Sequence, residues 1–440
     1  MLRAATLASV AVSVACPLAA DARPCSFYGM NPGAPVWGGA VFLDAEVAGA
    51  IAGAGAGAIR IDFRLDGAAE WDEAALGTYE GIVDAAVGAR LEPLGLVAYE
   101  AVSGGQAEWN DDADGDGAND YVDRFASTAV ALFERFGDRI KRWEIWNEPN
   151  CWSDPGYRDD PQAAGCTYVL PRVYAKILAE VRVRGGDALA AQGAIVVSGG
   201  LFAHDIGGSF SDATDYQDEV YAQGPWDWME ENLGRRYPWD VLGYHLYVQQ
   251  GEAVSAETLA AYLDSVGGLA DAWNDSSSLE VTEVGWRTAA VDADLQAANL
   301  TTTFQMMAAR EDVERVYWFA WRDNPGANLL YGVVDADGNA KPSYDALAAA
   351  SAGCGDEGPE PGVDSGPEPA IDAGTPGIDA GSEDGVDSGA LADSGGALDG
   401  APKSAPDDPG GCGCAAAGGG IETWQVILLA VGLAVRGRGI

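Results

Sequence analysis

The chain has 440 residues, a formal net charge of −43 and only two histidines, His204 and His245. This length accommodates one large domain with appendages, or two or three ordinary domains. The excess of acid argues against nucleic acid or anionic lipid as a partner, because phosphate binding needs a surface rich in Lys and Arg. So few histidines also argue against a His-rich zinc site.

The first residues are typical of a secretory signal. The stretch MLRAATLASVAVSVACPLAADARPC has a basic Arg3, a short apolar run and an Ala-x-Ala cleavage candidate at Ala20 to Ala22. We therefore expect residues 1–22 to be a signal peptide and the protein to be exported. Cys16 follows Ser-Val-Ala, which leaves a lipoprotein-type processing site open as an alternative.

Strand-like and helix-like stretches alternate between residues 26 and 350. The strand-like runs are CSFYGMN (25–31), AIRIDFR (58–64), EPLGLVAY (92–99), RWEIWNE (142–148), AIVVSGGL (194–201), DVLGYHLY (240–247), LEVTEVGW (279–286) and RVYWFAW (315–321). Stretches such as YVDRFASTAVALFERF, with apolar residues three and four apart, lie between them. Eight βα units predict an α/β fold, a (β/α)8 TIM barrel over residues 23–354. A doubly wound open sheet is the rival, but no GxGxxG follows the first strand.

An acidic loop between the third strand and the next helix has the spacing of a calcium-binding loop. In DDADGDGANDYVD (111–123), counted from Asp112, acids occupy the first, third, fifth, ninth and twelfth places, with Gly117 at the sixth. The five candidate calcium ligands are Asp112, Asp114, Asp116, Asp120 and Asp123. A solvated acidic turn without metal is the alternative interpretation. Any metal here would be structural, and we expect no cofactor for catalysis.

Two strands end on a glutamate. The fourth run continues as WNEPN with Glu148, and the seventh reads VTEVGW with Glu283. In a (β/α)8 barrel the carboxyl ends of all strands meet at one mouth, so the two acids would face each other. Two carboxylates about 5 to 5.5 Å apart are the catalytic pair of a retaining glycoside hydrolase.

These two motifs together resemble the clan A glycoside hydrolases. WEIWNEPN followed by VTEVGW is most similar to families 39 and 5, which are retaining (β/α)8 enzymes that act on β-linked sugars. The likeness extends in order over most of residues 26–350. It implies that Glu148 is the acid/base, that Glu283 is the nucleophile, and that Asn147 binds the sugar 2-hydroxyl.

The same resemblance implies substrate-binding aromatics and a histidine around the pair. His245 and Tyr247 share one face of the sixth strand by its period of two, so both are expected in the pocket. One tryptophan of the eighth strand would form the floor beneath the sugar, and spacing leaves Trp318 and Trp321 both open. Packing roles are the alternative for each of these side chains and for His204.

Strand parity leaves several polar residues to be placed. The resemblance implies an arginine on strand two beside the nucleophile, and we favour Arg60, although Arg64 lies nearer the strand end.

Glu144 shares the parity of Glu148 but lies deeper, which favours a paired structural role. Glu280 has the opposite parity to Glu283 and is expected to face the helices. Strict alternation would turn Asn147 away from the pocket, so the chain must leave its pleat there.

Four cysteines are candidates for disulfides in an exported protein. Cys151 and Cys166 bracket a polar Pro/Gly loop, which a disulfide would staple. Cys25 precedes the first strand and Cys354 follows the last helix, so a closed fold could bring them together. Free buried thiols are the alternative.

The chain changes character after the predicted barrel. Residues 355–411 are rich in Asp, Gly and Pro and lack aromatics, which predicts a disordered acidic linker. Residues 412–440 begin within the motif GGCGC (410–414) and continue with a short apolar stretch, expected to be helical, and a terminal Arg cluster. This layout resembles the MYXO-CTERM class of bacterial surface-sorting tails, which implies processing at Cys412 or Cys414 by envelope sorting machinery. A simple membrane tail anchor is the alternative.

The sequence thus predicts a monomeric, exported and envelope-attached retaining β-glycosidase or endo-β-glycanase whose partner is a β-linked oligo- or polysaccharide. A carbohydrate-binding protein that keeps the barrel without turnover is the alternative. An esterase is disfavoured, because no G-x-S-x-G elbow is present.

Overall fold

The computed structural model describes residues 22–150, 167–205 and 210–355. Within these residues eight parallel strands close into a barrel, in sequence order, with the last strand pairing with the first. The strands are β1 Tyr28–Asn31, β2 Ala58–Phe63, β3 Glu92–Val97, β4 Arg142–Asn147, β5 Ile195–His204, β6 Val241–Tyr247, β7 Ser278–Val284 and β8 Val313–Phe319. The predicted (β/α)8 TIM barrel is confirmed, and the open doubly wound sheet is excluded because the sheet has no edge.

Helices connect the strands and cover the outside of the barrel. They are α1 Ala45–Gly53, α2 Glu73–Gly88, α3 Gln106–Trp109, α4 Asp120–Phe136, α5 Pro171–Gln192, α6 Thr214–Gln223, α7 Trp226–Leu233, α8 Ala256–Ala272, α9 Ala293–Ala308 and α10 Pro342–Ser351. Polar side chains begin several of them; Asp72, for example, accepts the backbone N–H groups of Ala74 and Ala75. The apolar helix faces pack on the strands, as where Phe133 lies 4.9 Å from Trp143 of β4.

The strand boundaries differ from the sequence expectation at two places that matter for the site. β5 extends three residues further than expected, to His204, and β8 ends at Phe319. Trp321 therefore lies beyond the last strand. Before β1, Cys25–Phe27 form a single 3-10 turn instead of strand.

The barrel interior has an apolar layer with polar side chains at both ends. Five side chains from five strands form this small buried cluster, namely Ala58, Leu94, Val197, Val241 and Tyr317. This layer fills the interior with packed side chains, as is usual in such barrels. Polar side chains are therefore concentrated at the two ends of the strands.

The ends of the barrel domain are joined covalently. Cys25 and Cys354 form a disulfide with Cα atoms 4.9 Å apart, which confirms that predicted pair. Backbone hydrogen bonds reinforce it, since the N–H of Gly355 donates to the carbonyl of Arg23 over 3.1 Å. Cys151 and Cys166, the linker, the tail and nearly all of the signal lie outside the described residues. Among the helices that are described, none combines the length and apolarity needed to cross a bilayer.

Candidate active site

The carboxylates of Glu148 and Glu283 lie together at the carboxyl end of the barrel. Glu148 directly follows β4, and Glu283 is the penultimate residue of β7. A carboxylate oxygen of Glu148 lies within 4.8 Å of one of Glu283. The two residues are only 5% and 4% exposed. This separation matches the roughly 5 to 5.5 Å of a retaining pair and is shorter than the roughly 6.5 to 9.5 Å of an inverting pair.

The backbone of β4 leaves its regular pleat just before the acid. Trp146 has φ +78° and Glu148 has φ +47°, both left-handed values that are unusual for side chains of this size. The flip turns Trp146 outward, where its ring lies 5.6 Å from Phe125 of α4. Asn147 consequently points inward, which the sequence pattern alone could not explain. Such strain of about 1 to 3 kcal/mol per residue is typical of functional sites.

β7 has a bulge at the corresponding place. Its neighbour β6 pairs Tyr244 with Val281 and then His245 with Glu283, so Thr282 is an extra residue. The expectation that Glu280 faces the helices is wrong. The extra residue Thr282 shifts the inward–outward alternation by one position, so Glu280 and Glu283 both point into the barrel. Glu280 lies inside the barrel and binds Arg142.

Arg60 of β2 connects the polar groups of the mouth. Its Nη1 donates to Glu283 Oε1 over 2.7 Å, and its Nη2 donates to Asn147 Oδ1 over 2.9 Å. Its Nε donates to Glu144 over 2.6 Å. Burial alone would lower the pKa of Arg60, but Glu144 and Glu283 outweigh it and the pKa is raised, so the guanidinium stays charged. The structure thus places Arg60, the favoured candidate, beside Glu283.

Arg64 occupies a separate rim cluster. Its guanidinium donates to Asp62 over 3.2 Å and pairs with Glu100 over 2.6 Å. It also lies 5.1 Å from the ring centre of Trp37. Arg64 therefore has its own carboxylate partners, distinct from the central pair.

Two further donors bind Glu283. The hydroxyl of Tyr247 donates to Oε2 over 2.6 Å, and Asn31 Nδ2 donates to Oε1 over 3.0 Å. Burial tends to raise the pKa of Glu283, but His245, Arg60 and the hydrogen bond from Tyr247 lower it below its ordinary value. Burial, followed by the charge of Glu283, keeps the pKa of Tyr247 well above its usual range, so the phenol remains a donor. Glu283 is therefore held as a carboxylate.

Asn31 was missed by the sequence reasoning. It is the last residue of β1 and is 4% exposed. The signal was available, because a polar residue that ends a barrel strand is a candidate for the mouth in the same way as Glu148.

His245 lies between the two acids. Its Nδ1 is 2.9 Å from Glu148 Oε1 and 3.8 Å from Glu283 Oε2. Burial would lower the pKa of His245, but Glu283 and Glu148 outweigh it and raise the pKa. The ring fits because position 200 is glycine; a Cβ there would lie 2.2 Å from the imidazole. His245 and Tyr247 both face the pocket, as the period of two predicted.

Glu144 supports the site from below. It is fully buried and accepts hydrogen bonds from Thr282 Oγ1 over 2.9 Å and from the N–H of Gly200 over 3.0 Å, besides that of Arg60. With its oxygens engaged by the protein, Glu144 has the structural role that its depth suggested. It fixes Arg60, which in turn orients Glu283 and Asn147.

The strand-eight tryptophans are not the floor of the pocket. Trp318 is fully buried on the helix side of β8, 5.9 Å from Trp286, and its Nε1 donates to the carbonyl of Tyr331. Trp321 lies beyond the strand and packs 6.2 Å from Tyr344 of α10. Phe319 takes the inward position instead, in one cluster with Phe202, Tyr247 and Tyr331. The floor predicted at Trp318 or Trp321 is thus corrected, because the alternation places residue 319 inside.

Comparison with solved structures shows that the chain shares its fold with several glycoside hydrolases. It is similar to a family 39 glycoside hydrolase from the gut symbiont Bacteroides cellulosilyticus WH2, with TM-score 0.52, 18% identity, and coverage of 75% of this chain and 64% of that one. A GH5-4 broad-specificity endoglucanase from Clostridium longisporum gives TM-score 0.52 and 14% identity, over 75% and 97% of the two chains. A GH5_18 protein of Streptomyces cattleya solved with GlcNAc gives TM-score 0.52 and 17% identity, over 75% and 80%. At identities this low, the structural similarity shows a shared fold.

Curated relatives match a shorter part of the chain. Beta-glucosidase 6 of Oryza sativa subsp. japonica is 29% identical over 115 residues, which cover 25% of this chain and 21% of that protein. Beta-glucosidase 40 of Arabidopsis thaliana is 42% identical over 50 residues, which cover 11% and 10%. The chain therefore spans about a fifth or less of the length of these relatives. No family model matches it.

The acidic loop before α4 assembles three of its five predicted calcium ligands. Oxygens of Asp112, Asp114 and Asp116 lie within 4.8 Å of one another. Asp112 Oδ1 also accepts the N–H of Gly117 over 2.8 Å, and its other oxygen pairs with Arg172. Carboxylate oxygens suit calcium, so the donor set fits the ion in part.

The two remaining candidates lie on the helix. Asp120 is the first residue of α4, and Asp123 stands one turn further on. Asp123 pairs with Arg184 of α5 and does not join the cluster of three. The loop keeps calcium as a prediction, with Asp112, Asp114 and Asp116 as its core.

Proposed function

We propose that the protein is a retaining glycoside hydrolase that acts on β-linked sugars through Glu148 and Glu283. The observation that carries the proposal is the distance of less than 4.8 Å between carboxylate oxygens of these residues, at the carboxyl end of the barrel. In this fold that end carries the reactive groups. The glycosidase names of the similar proteins support the same class, and beta-glucosidase and endoglucanase among them support a β-linkage.

In the first step Glu283 would attack the anomeric carbon while Glu148 gives its proton to the departing oxygen. The donors Arg60, Tyr247 and Asn31 keep Glu283 ionised and fix its orientation. The glycosyl–enzyme ester forms as the glycosidic C–O bond breaks. The leaving group departs as an alcohol.

In the second step water would replace the leaving group. Glu148 removes a proton from this water, which attacks the anomeric carbon and releases Glu283. His245 Nδ1, 2.9 Å from Glu148 Oε1, holds the acid/base in place in both steps. Asn147, oriented by Arg60, would bind the sugar 2-hydroxyl, a contact that strengthens in the transition state. No cofactor takes part in this scheme.

A substrate panel with product stereochemistry tests the proposal. Purified full-length protein is incubated with aryl β-glycosides and with β-linked oligo- and polysaccharides, and NMR follows the first-formed anomer. The proposal expects hydrolysis with a β-configured initial product. An α-configured initial product would contradict the double displacement, whereas sugar binding without any turnover would favour the carbohydrate-binding alternative.

We further propose that the protein is exported and held at the cell envelope, where it works as a monomer on extracellular glycans. The disulfide between Cys25 and Cys354 supports export, because such bonds persist in oxidising compartments. The signal-like segment 1–22, the acidic linker 355–411 and the sorting-type tail 412–440 support attachment through envelope sorting machinery. Fractionation of cells that express the full chain tests this, with recovery in the cytosol as the contrary outcome.

A further inference from the structure

A row of aromatic rings leads from the candidate active site toward the protein surface. The rings of Tyr247 and Phe202 stack with centroids 5.5 Å apart. Phe202 lies 5.3 Å from the imidazole of His204 at the end of β5. The hydroxyl of Tyr262 on α8 donates to the carbonyl of His204 over 3.3 Å, and Phe210 lies 5.3 Å from Tyr262. Tyr247 binds the candidate nucleophile, and Tyr247 and Phe202 are buried, so the inner part of this row is a packed wall between the site and the surface.

The row ends in a surface cavity. Its volume is about 310 Å³, at the lower end of the usual range for small-molecule pockets. Phe210 and Tyr262 supply the aromatic part of the lining, and Phe210 is 70% exposed, the most exposed large apolar side chain in the described part of the chain. An aromatic ring with an open face at a cavity is a surface for an apolar ligand face.

The rest of the lining is rich in oxygen. Its polar residues are Asp212, Ser255, Glu257 and Thr258. Asp212 and Ser255 also make hydrogen bonds within the protein, with Thr214 and Thr258 respectively. The lining contains no Lys or Arg. A pyranose ring combines an apolar C–H face with a rim of hydroxyls, which matches an open ring beside acidic and hydroxyl residues. A uronate or sulfated sugar would be disfavoured, because two acidic residues line the cavity without a compensating cation.

We propose that this cavity is a remote subsite for a neutral sugar unit of a β-linked oligosaccharide whose scissile bond lies at Glu148 and Glu283. The residues that line the cavity follow β5 and β6, so the cavity lies on the side of the barrel where the strands end and the two acids meet, and a chain of several sugar units would extend to it across that side. The inference rests on the proposed function and deepens it. The protein would act on chains rather than on small glycosides, because contacts remote from the reacting bond raise kcat/KM only for substrates long enough to make them.

The dependence of kcat/KM on chain length tests this. The full-length protein and its Phe210→Ala variant are compared on an aryl β-glycoside and on neutral oligosaccharides from disaccharide to hexasaccharide. In the wild type kcat/KM should rise with the length of the substrate. In Phe210→Ala kcat/KM should fall about tenfold on the longest substrates and stay unchanged on the aryl glycoside. Trp228→Ala is the matched control, since Trp228 on α7 is an aromatic of 48% exposure outside the cavity lining.

A binding measurement makes the result independent of turnover. Calorimetry of a neutral hexasaccharide with Glu283→Gln should show about tenfold weaker binding when Phe210→Ala is added, and an acidic hexasaccharide should bind weakly to both. Unchanged kinetics and binding in Phe210→Ala would overturn the inference. It would also be overturned if Trp37→Ala, and not Phe210→Ala, lowered kcat/KM and affinity on the long substrates. If the wild type hydrolyses no substrate, the proposed function fails. If it hydrolyses aryl glycosides without a gain from length, only the remote subsite fails.

Discussion

The two ends of the barrel both bury arginine–glutamate clusters, but they differ in balance. At the amino end Arg142 of β4 donates to the fully buried Glu280 of β7 over 3.0 Å. Arg142 also pairs with Glu314, whose side chain is 35% exposed, so only one of its two carboxylate partners is buried. At the carboxyl end three carboxylates are buried, and Arg60 pairs with two of them, Glu144 and Glu283. His245, which contacts Glu148, is the only other base in contact with the three in the described residues.

The backbone differs in the same way. Neither Arg142 nor Glu280 has a positive φ, although β8 has an irregularity between Val313 and Arg315, beside Glu280. At the other end Trp146 and Glu148 both have positive φ, and β7 has its bulge at Thr282. The amino end has the arrangement of a stability element and the carboxyl end that of a reactive site. The difference teaches that buried charge alone does not mark a functional site. An excess of buried charge of one sign, on residues with distorted backbone, does mark one.

Glu283→Gln tests the reactive end most directly. Loss of the carboxylate removes the nucleophile, so kcat/KM should fall on the order of 10⁵-fold while the fold is kept. Steady-state kinetics on the best substrate from the panel measures the loss. Residual activity near the wild-type level would refute the role of Glu283.

Glu148→Gln should have the second-largest effect, and its size should depend on the leaving group. General acid catalysis contributes about 10² to 10⁴-fold, so kcat/KM should fall by that factor for a sugar leaving group. The leaving group of a dinitrophenyl glycoside needs little protonation. The variant should therefore cleave this substrate with a much smaller loss of kcat/KM, which reports the first step. Equal losses on both substrates would argue against Glu148 as the acid.

Glu280→Gln at the amino end is the matched change to Glu283→Gln. Glu280 lies on the same strand, β7, and also contacts an arginine. Breaking a buried pair leaves Arg142 partly uncompensated, so the free energy of unfolding should drop by about 3 to 5 kcal/mol. Chemical denaturation measures this, and kcat/KM of the folded variant should stay within about tenfold of wild type. A loss of activity as large as that of Glu283→Gln would erase the contrast between the two ends.

Tyr247→Phe should shift the pH profile. The tyrosine hydrogen bond helps to lower the pKa of Glu283 below 4.5, so in wild type activity should fall only as the pH drops through that lowered value. Removing the bond raises the pKa of Glu283, so the acidic limb of kcat/KM should move to higher pH. Tyr244→Phe is the control, because that hydroxyl donates to the carbonyl of Asp212 instead. An acidic limb that stays in place would show that Tyr247 does not set this pKa.

Calcium should have the smallest effect. If Asp112, Asp114 and Asp116 bind the ion, saturating calcium should raise the melting temperature by a few degrees, and a chelator should reverse the rise. Asp114→Asn should abolish the response, whereas Asp123→Asn should leave it intact because Asp123 pairs with Arg184. A response lost equally in both variants would restore the five-ligand loop.

The sequence by itself determined the architecture and the two acids. Alternating strand and helix patterns fix a closed barrel, and barrel topology brings every strand end to one mouth. Glu148, Glu283, His245 and Tyr247 could therefore be placed together from their positions at strand ends. The disulfide between Cys25 and Cys354 followed from the same closure.

Only the tertiary structure decided which way several neighbours point. The period of two assigns faces only while the pleat is regular, and the flip at Trp146 and the bulge at Thr282 break it. Both distortions depend on packing against elements distant in sequence, such as Phe125 of α4 and the neighbouring strand β6. The same reason explains the inward Phe319 and the choice of Arg60, whose partners Glu144, Asn147 and Glu283 come from two other strands and meet only when the barrel closes.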